Sequence, residues 1–190
     1  MKVRVSPDCC GRLFLVVGPS GVGKDSILDG ARAHFAADPG VVFPERVITR
    51  PAEAGGEAHR PASDETFATL ERSGAFALSW RAHGNAYGIP SGIADDLASG
   101  SSVVANVSRT VIEAARERFR PVTVIVITAQ LDIIAERLKQ RGRESMDDIR
   151  ARLQRASMAM PEGPDVRIID NSGLMADAVA DFCALIVGNT

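Results

Sequence analysis

The segment GPSGVGKD, residues 18–25, concentrates the residue types and spacing best suited to chemistry in this chain. Gly18, Gly23 and Lys24 fit the pattern G-x-x-x-x-G-K, and Pro19, Ser20, Gly21 and Val22 fill the interval. Glycine lets a backbone wrap closely around a phosphate chain. Several N–H groups can then point inward, aided by the positive end of a following helix. Lys24 would reach the outer phosphates and offset charge as a phosphoryl group moves. A plain glycine turn is the alternative, but the context favours the phosphate loop. The apolar run LFLVV, residues 13–17, ends immediately before it, and a helical pattern follows.

The expected nucleotide is ATP, held by Gly18 to Ser26, with Mg2+ as its metal. One position departs from the pattern: the usual Ser/Thr after the lysine is Asp25, followed by Ser26. That hydroxyl normally helps to hold Mg2+. A carboxylate is also a hard oxygen donor, so Asp25 is the metal candidate. An aspartate favoured by the helix dipole is the competing explanation.

A second constellation, RLKQRGRESMDDIRARLQR, spans 137–155. Arg137 and Arg141 are four apart and share a helix face, and Arg152 and Arg155 are three apart on the next helix. Gly142 could end the first helix or act as a hinge. Two such helices can close as a lid over a nucleotide, bringing in guanidinium groups and excluding water. Arginine-rich amphipathic helices are usually solvated faces. Here the position, after an apolar strand in a chain with a phosphate loop, favours catalysis. Lysine occurs only at Lys2, Lys24 and Lys139 among 22 basic residues, the rest being arginine. A GC-rich genome accounts for this as well as phosphate binding does.

These residues need elements to position them. The spacing predicts strands at 13–17, 41–49, 102–107, 122–128 and 166–170, with helices at 24–35, 64–72, 91–98, 111–118, 131–141, 146–158 and 174–187. Short strands and turns are expected at 75–90. The alternation implies an α/β fold with a mainly parallel sheet covered on both faces. The interval 50–100 breaks the alternation and reads as a small lobe inserted over the carboxyl edge of the sheet, where open α/β sheets bind ligands.

The chain has 190 residues, enough for one domain with a full core. Its 45% hydrophobic and 24% charged content exclude extensive disorder. No apolar run is long enough for a membrane span. A net charge of −2 argues against a general nucleic-acid binder. Cys9, Cys10 and Cys183 lack the spacing of a zinc site and read as free thiols in a reducing compartment. The polar N-terminus is unlike a secretory signal, so a cytoplasmic location is expected.

Over nearly its whole length the sequence resembles the guanylate kinases and their relatives. The resemblance rests on GPSGVGK at 18–24, Arg50 followed by GGE at 55–57, GNAYG at 84–88, and Arg137, Arg141 and Arg152. It implies a P-loop kinase fold with a core, an inserted acceptor lobe at about 50–100 and a helical lid at about 137–155. Arg50 and Tyr87 would bind the acceptor phosphate, the three lid arginines would surround the phosphates, and Glu57 aligns with the acidic residue that contacts guanine. The departures are informative. Glu53 lies where a second acceptor-phosphate arginine is usual, Ile89 replaces a hydroxyl residue, and Asn106, Val107 and Ser108 replace an Asp-x-Asp. Losing a matched buried partner costs discrimination, so guanine recognition is expected to be impaired.

The sequence is more similar still to the ribose 1,5-bisphosphate phosphokinases. Lys24-Asp25-Ser26, ITRPA at 48–52, the stretch Trp80 to Pro90, Asn106 to Arg109, and RGRE at 141–144 match that pattern. The resemblance implies phosphoryl transfer from ATP to the 1-phosphate of ribose 1,5-bisphosphate, yielding ADP and 5-phospho-α-D-ribose 1-diphosphate, in phosphonate breakdown and nucleotide-precursor supply. It implies small-molecule partners, with neither nucleic acid nor membrane, and leaves a homodimer open. Arg50, His59, Arg81, His83, Asn106, Ser108 and Arg109 are the candidates to hold the acceptor. His59 reads as a surface residue and Trp80 as buried between lobes. Asp170 and Asn171 read as adenine neighbours or helix caps. A nucleoside monophosphate kinase and a non-catalytic binding module are the alternatives. Retention of Lys24, Arg137, Arg141 and Arg152 argues against the module.

Overall fold

A computed structural model describes residues 11–51, 58–140 and 160–188. Among the described residues, β1 (Leu13–Val17), β2 (Val41–Val42), β7 (Ser102–Asn106), β8 (Val122–Thr128) and β9 (Val166–Asp170) form one sheet in the order β2-β7-β1-β8-β9. Every pairing in it is parallel. β1 is central and fully buried, which is why its sequence is continuously apolar rather than alternating.

Successive side chains of a strand point to opposite faces, so β1 feeds two cores. Leu13, Leu15 and Val17 pack with Val103, Val124, Ile112 and Phe119 on one face, together with α3 (Ile93–Ala98) and α4 (Ile112–Arg118). Phe14 and Val16 pack on the other with Ile27, Ile134, Leu138 and Phe182. These come from α1 (Lys24–His34), α5 (Leu131–Gln140) and the last helix, Met175–Val187, here α6. The α/β fold with a mainly parallel sheet is therefore as expected, and both faces are covered. No helix among the described residues is long and apolar enough to cross a membrane.

A second sheet has the order β4-β3-β6-β5, from β3 (Arg46–Ile48), β4 (His59–Pro61), β5 (Phe76–Ala82) and β6 (Asn85–Pro90). β5 and β6 form an antiparallel hairpin, and α2 (Asp64–Arg72) packs Phe67 under it against Phe76, at 4.7 Å between ring centroids. Ser63 caps α2 by accepting from the Thr66 amide at 3.1 Å.

Several expectations change. The strand expected at 41–49 is two short strands in different sheets. Pro44 lies between them; it has no N–H for a ladder and restricts the residue before it. The second sheet thus begins at Arg46, ahead of the expected interval 50–100, while α3 packs Ile93 and Leu97 into the core beside Leu13. The helix expected from 91 starts at Ile93, and that expected from 111 starts at Ile112, after a single 3-10 turn at Arg109–Val111. The helix expected at 146–158 lies outside the described residues.

Candidate active site

The loop between β1 and α1 is built by steric exclusion. Gly18 has φ 155°, and a Cβ there would collide with the carbonyl oxygen of Ile127. Gly23 has φ 93°, and a Cβ there would collide with Nδ2 of Asn171. Only glycine adopts both conformations cheaply. Gly23 is also the N-cap of α1, and no side chain caps that end. The first N–H groups of α1 are therefore left to the loop and whatever anion it takes. Lys24 Nζ donates to the Gly18 and Pro19 carbonyls at 2.7 and 2.9 Å, so its ammonium is folded back over the loop.

The loop is also pinned from behind. The Val22 carbonyl accepts from Asn171 Nδ2 at 2.8 Å and from Arg137 Nη1 at 3.4 Å. Ile134 and Leu138 of α5 close against Gly21. Asn171 is fully buried and does not cap α6. The N-cap of α6 is Leu174, and Asp170 is engaged instead with the amide and hydroxyl of Ser172 at 3.1 and 2.6 Å.

A cleft of about 560 Å³ opens from Gly18, Pro19, Ser20 and Lys24 toward the second sheet. Three more cations line it: Arg46, Arg50 and Arg109. His83, Asn106, Ser108 and Thr110 add polar groups, and no carboxylate contributes to the lining among the described residues. Arg50 follows β3. His59 Nε2 donates to its carbonyl at 3.1 Å, and its own Nε is buried without a hydrogen-bond partner among the described residues. Tyr87 in β6 stacks on Trp80 of β5, with ring centroids 5.3 Å apart and planes 3° apart. His83 takes the left-handed conformation, φ 51°, at the first of the two turn positions of the hairpin. Histidine tolerates that region better than most side chains, and Gly84 at φ 76° completes the turn. Asn106 ends β7 beside Val16 and is buried. Ser108 caps the 3-10 turn by accepting from the Thr110 amide at 3.3 Å. A smaller cavity of about 80 Å³ adjoins the same loop and shares Gly18, Pro19 and Arg109 with the cleft.

The fold thus brings Gly18, Pro19, Ser20 and Lys24 together with Arg50, His83, Tyr87, Asn106, Ser108 and Arg109. Gly21, Val22 and Gly23 shape the loop but do not line the cleft; nor do Asp25, half-buried in the first turn of α1, and the exposed Ser26. Arg137 reaches the loop at Val22 rather than the cleft. Glu57, Arg141 and Arg152 lie outside the described residues. Two candidates are corrected. His59 is buried, not on the surface, because β4 pairs with β3 and turns its ring onto Arg50. Arg81 faces away from the cleft and pairs with Glu71 through Nη1 and Nη2 at 3.3 and 2.9 Å. Those bonds, with that from Ser79, hold the Glu71 carboxyl below its ordinary value.

Sequence reasoning misses Arg46. It is only 9% exposed, it lines the cleft, and its guanidinium lies over the Tyr87 ring at 5.7 Å. The available signal is an arginine at a strand edge, four residues before Arg50 in ERVITR, inside a segment whose apolar content dominates its reading.

No family model matches the chain. It is 47% identical over 166 residues to ribose 1,5-bisphosphate phosphokinase PhnN of Agrobacterium fabrum, covering 87% of this chain and 91% of that protein. It is 46% identical over 174 residues to the protein of the same name in Pseudomonas fluorescens, covering 89% and 91%. The chain belongs to the ribose 1,5-bisphosphate phosphokinase family. A guanylate kinase from Anaplasma phagocytophilum superposes with a TM-score of 0.64 over 96% of this chain and 88% of that one, at 19% identity. That likeness establishes the P-loop kinase fold, and membership of the phosphokinase family makes the chain a phosphotransferase. Asn106, Ser108 and the buried Arg46 fall in one cleft.

Proposed function

We propose that this chain transfers the γ-phosphoryl group of ATP to the 1-phosphate of ribose 1,5-bisphosphate. The products are ADP and 5-phospho-α-D-ribose 1-diphosphate. The observation that carries this reading is the cleft itself. It runs from the phosphate loop and carries Lys24, Arg46, Arg50 and Arg109 with no carboxylate among the described residues, in a chain whose net charge is −2. Such a lining suits a small acceptor with two phosphates. Trp80 and Tyr87 stack on each other, which supports a sugar phosphate over a flat base between them.

In the reaction an oxygen of the acceptor's 1-phosphate attacks the γ-phosphorus. A new P–O bond forms, the bond from the γ-phosphorus to its bridging oxygen breaks, and ADP leaves with that electron pair. A phosphate monoester is largely ionised near pH 7, so no strong base is required. Positioning and charge neutralisation carry the catalysis. The uncapped N–H groups of α1 and the ammonium of Lys24 hold the donor phosphates. Arg50 and Tyr87 hold the acceptor phosphate. His83, Asn106 and Ser108 meet the sugar. Arg109 lines both cavities, which suits a charge shared by donor and acceptor. Arg137, with Arg141 and Arg152, is proposed to offset charge on the transferring phosphates.

Asp25 suits Mg2+, which asks for one or two carboxylates and completes its shell with phosphates and water. When bound, Mg2+ supplies charge neutralisation on the phosphates.

The test is a phosphoryl-transfer assay with Mg-ATP and, in parallel, ribose 1,5-bisphosphate, GMP and AMP, with Lys24→Ala as control. Lys24-dependent use of the sugar bisphosphate alone is expected. Preferred use of GMP would make this a divergent nucleotide kinase. ATP binding without transfer to any acceptor would make it a binding module.

A further inference from the structure

The assigned acceptor-phosphate group, Arg50, accounts for one phosphate, yet a sugar bisphosphate carries two. We propose that Arg46 holds the second, non-reacting phosphate and thereby selects a bisphosphate over a monophosphate acceptor. This rests on the sugar-bisphosphate reading above.

Two observations converge on Arg46. It lines the cleft although it is only 9% exposed, so its charge is buried at the ligand's wall rather than spread over the surface. Its guanidinium is oriented: Nη1 donates to the Asn106 carbonyl at 3.4 Å, and the group lies over Tyr87, which is itself stacked on Trp80. An oriented guanidinium is suited to a phosphate because its planar fork can donate two bonds at once. Arg46 opens β3 and Arg50 lies two residues past its end, so one short segment sets the spacing between the two phosphate sites.

The reaction itself is unchanged; Arg46 is a specificity residue. The experiment compares kcat/KM for ribose 1,5-bisphosphate and for ribose 1-phosphate in the wild type, Arg46→Met and Arg46→Lys. Wild type prefers the bisphosphate. Arg46→Met is expected to lower kcat/KM for the bisphosphate by roughly 10- to 150-fold, the range of a charge-assisted hydrogen bond, and to change ribose 1-phosphate use by less than about 3-fold. Arg46→Lys, which keeps the charge and the fold but not the fork, falls between them. Phosphite dianion added with ribose 1-phosphate is expected to activate the wild type and not Arg46→Met.

An equal fall for both acceptors would make Arg46 a structural residue and overturn the proposal. Unchanged preference in Arg46→Met would overturn it too, since the second phosphate would then bind elsewhere. If Arg46→Met does not fold, the same comparison is read from Arg46→Lys, where an unaltered preference overturns the proposal. If the wild type uses neither sugar phosphate, the parent reading fails and this one with it. Use of the bisphosphate with intact preference in the variants sinks this proposal only.

Discussion

Replacing Asn171 by aspartate changes one nitrogen to oxygen behind the phosphate loop, and the structure sets both the sign and the size of the effect. The side chain is fully buried, Nδ2 donates to Val22 at 2.8 Å, and Oδ1 has no hydrogen-bond partner among the described residues. In Asn171→Asp a protonated acid can still donate to Val22, whereas a carboxylate meets a carbonyl in a dry site. Burial can raise such a carboxyl by about 3–5 pH units, while a nearby cation lowers it by about 1–3. The available cation is Arg137, half-buried, with Nη1 3.4 Å from the same carbonyl. Burial therefore wins, and the folded-state pKa of the introduced carboxyl lies above its unfolded value of about 3.9. The protonated form is then favoured by folding, so the variant loses stability as pH rises from about 4 to the raised pKa, by about 1.4 kcal/mol per unit. A net rise of about 2 units, the middle of that balance, makes the loss between pH 5 and 7 about 1.2 kcal/mol. For a chain of this size it widens the gap in Tm from wild type by roughly 2–5 °C. Thermal unfolding of both proteins at the two pH values measures it, and Asn171→Ala, which also removes the unpartnered oxygen, should show a gap independent of pH. A gap for Asn171→Asp that stays constant, or that narrows as pH rises, would refute the reasoning.

Further outcomes follow from the same geometry. Gly23→Ala should lose most of the ATP-induced rise in Tm, because φ 93° costs an alanine about 1–2 kcal/mol and its Cβ meets Asn171; an undiminished rise would count against the loop geometry. Glu71 is held below its ordinary value by Arg81 and Ser79, so its stabilisation is present above the unfolded pKa of about 4.3 and is lost as pH falls through the lower folded value. The Tm difference between wild type and Glu71→Gln should therefore shrink below about pH 4, and a difference that grows there would contradict the pairing. Trp80 is the one tryptophan and lines the cleft, so titration with ribose 1,5-bisphosphate should change intrinsic emission, with Arg50→Ala shifting the midpoint to higher concentration. Silence in emission during saturable turnover would move the acceptor away from Trp80.

The sequence by itself determined the phosphate loop and the strands of the main sheet. Both are local: GPSGVGK needs only its own glycines and its flanking strand and helix, and a buried parallel strand is written as a continuous apolar run such as VTVIVIT. The family motifs also named Arg50, Tyr87, Asn106 and Ser108, which do meet in one cleft. Tertiary structure decided what local pattern leaves open. The segment 41–49 has one composition, yet Pro44 splits it between two sheets, and that split puts Arg46 at the start of β3 on the wall of the cleft. His59 sits in a Gly/Ala-rich stretch that reads as surface, and pairing with β3 buries it against Arg50. Asn171 and Val22 are 149 residues apart, so no local spacing could join them. Arg81 and Arg46 are both arginines of the second sheet, and the direction each side chain leaves that sheet assigns one to a surface ion pair and the other to the ligand wall.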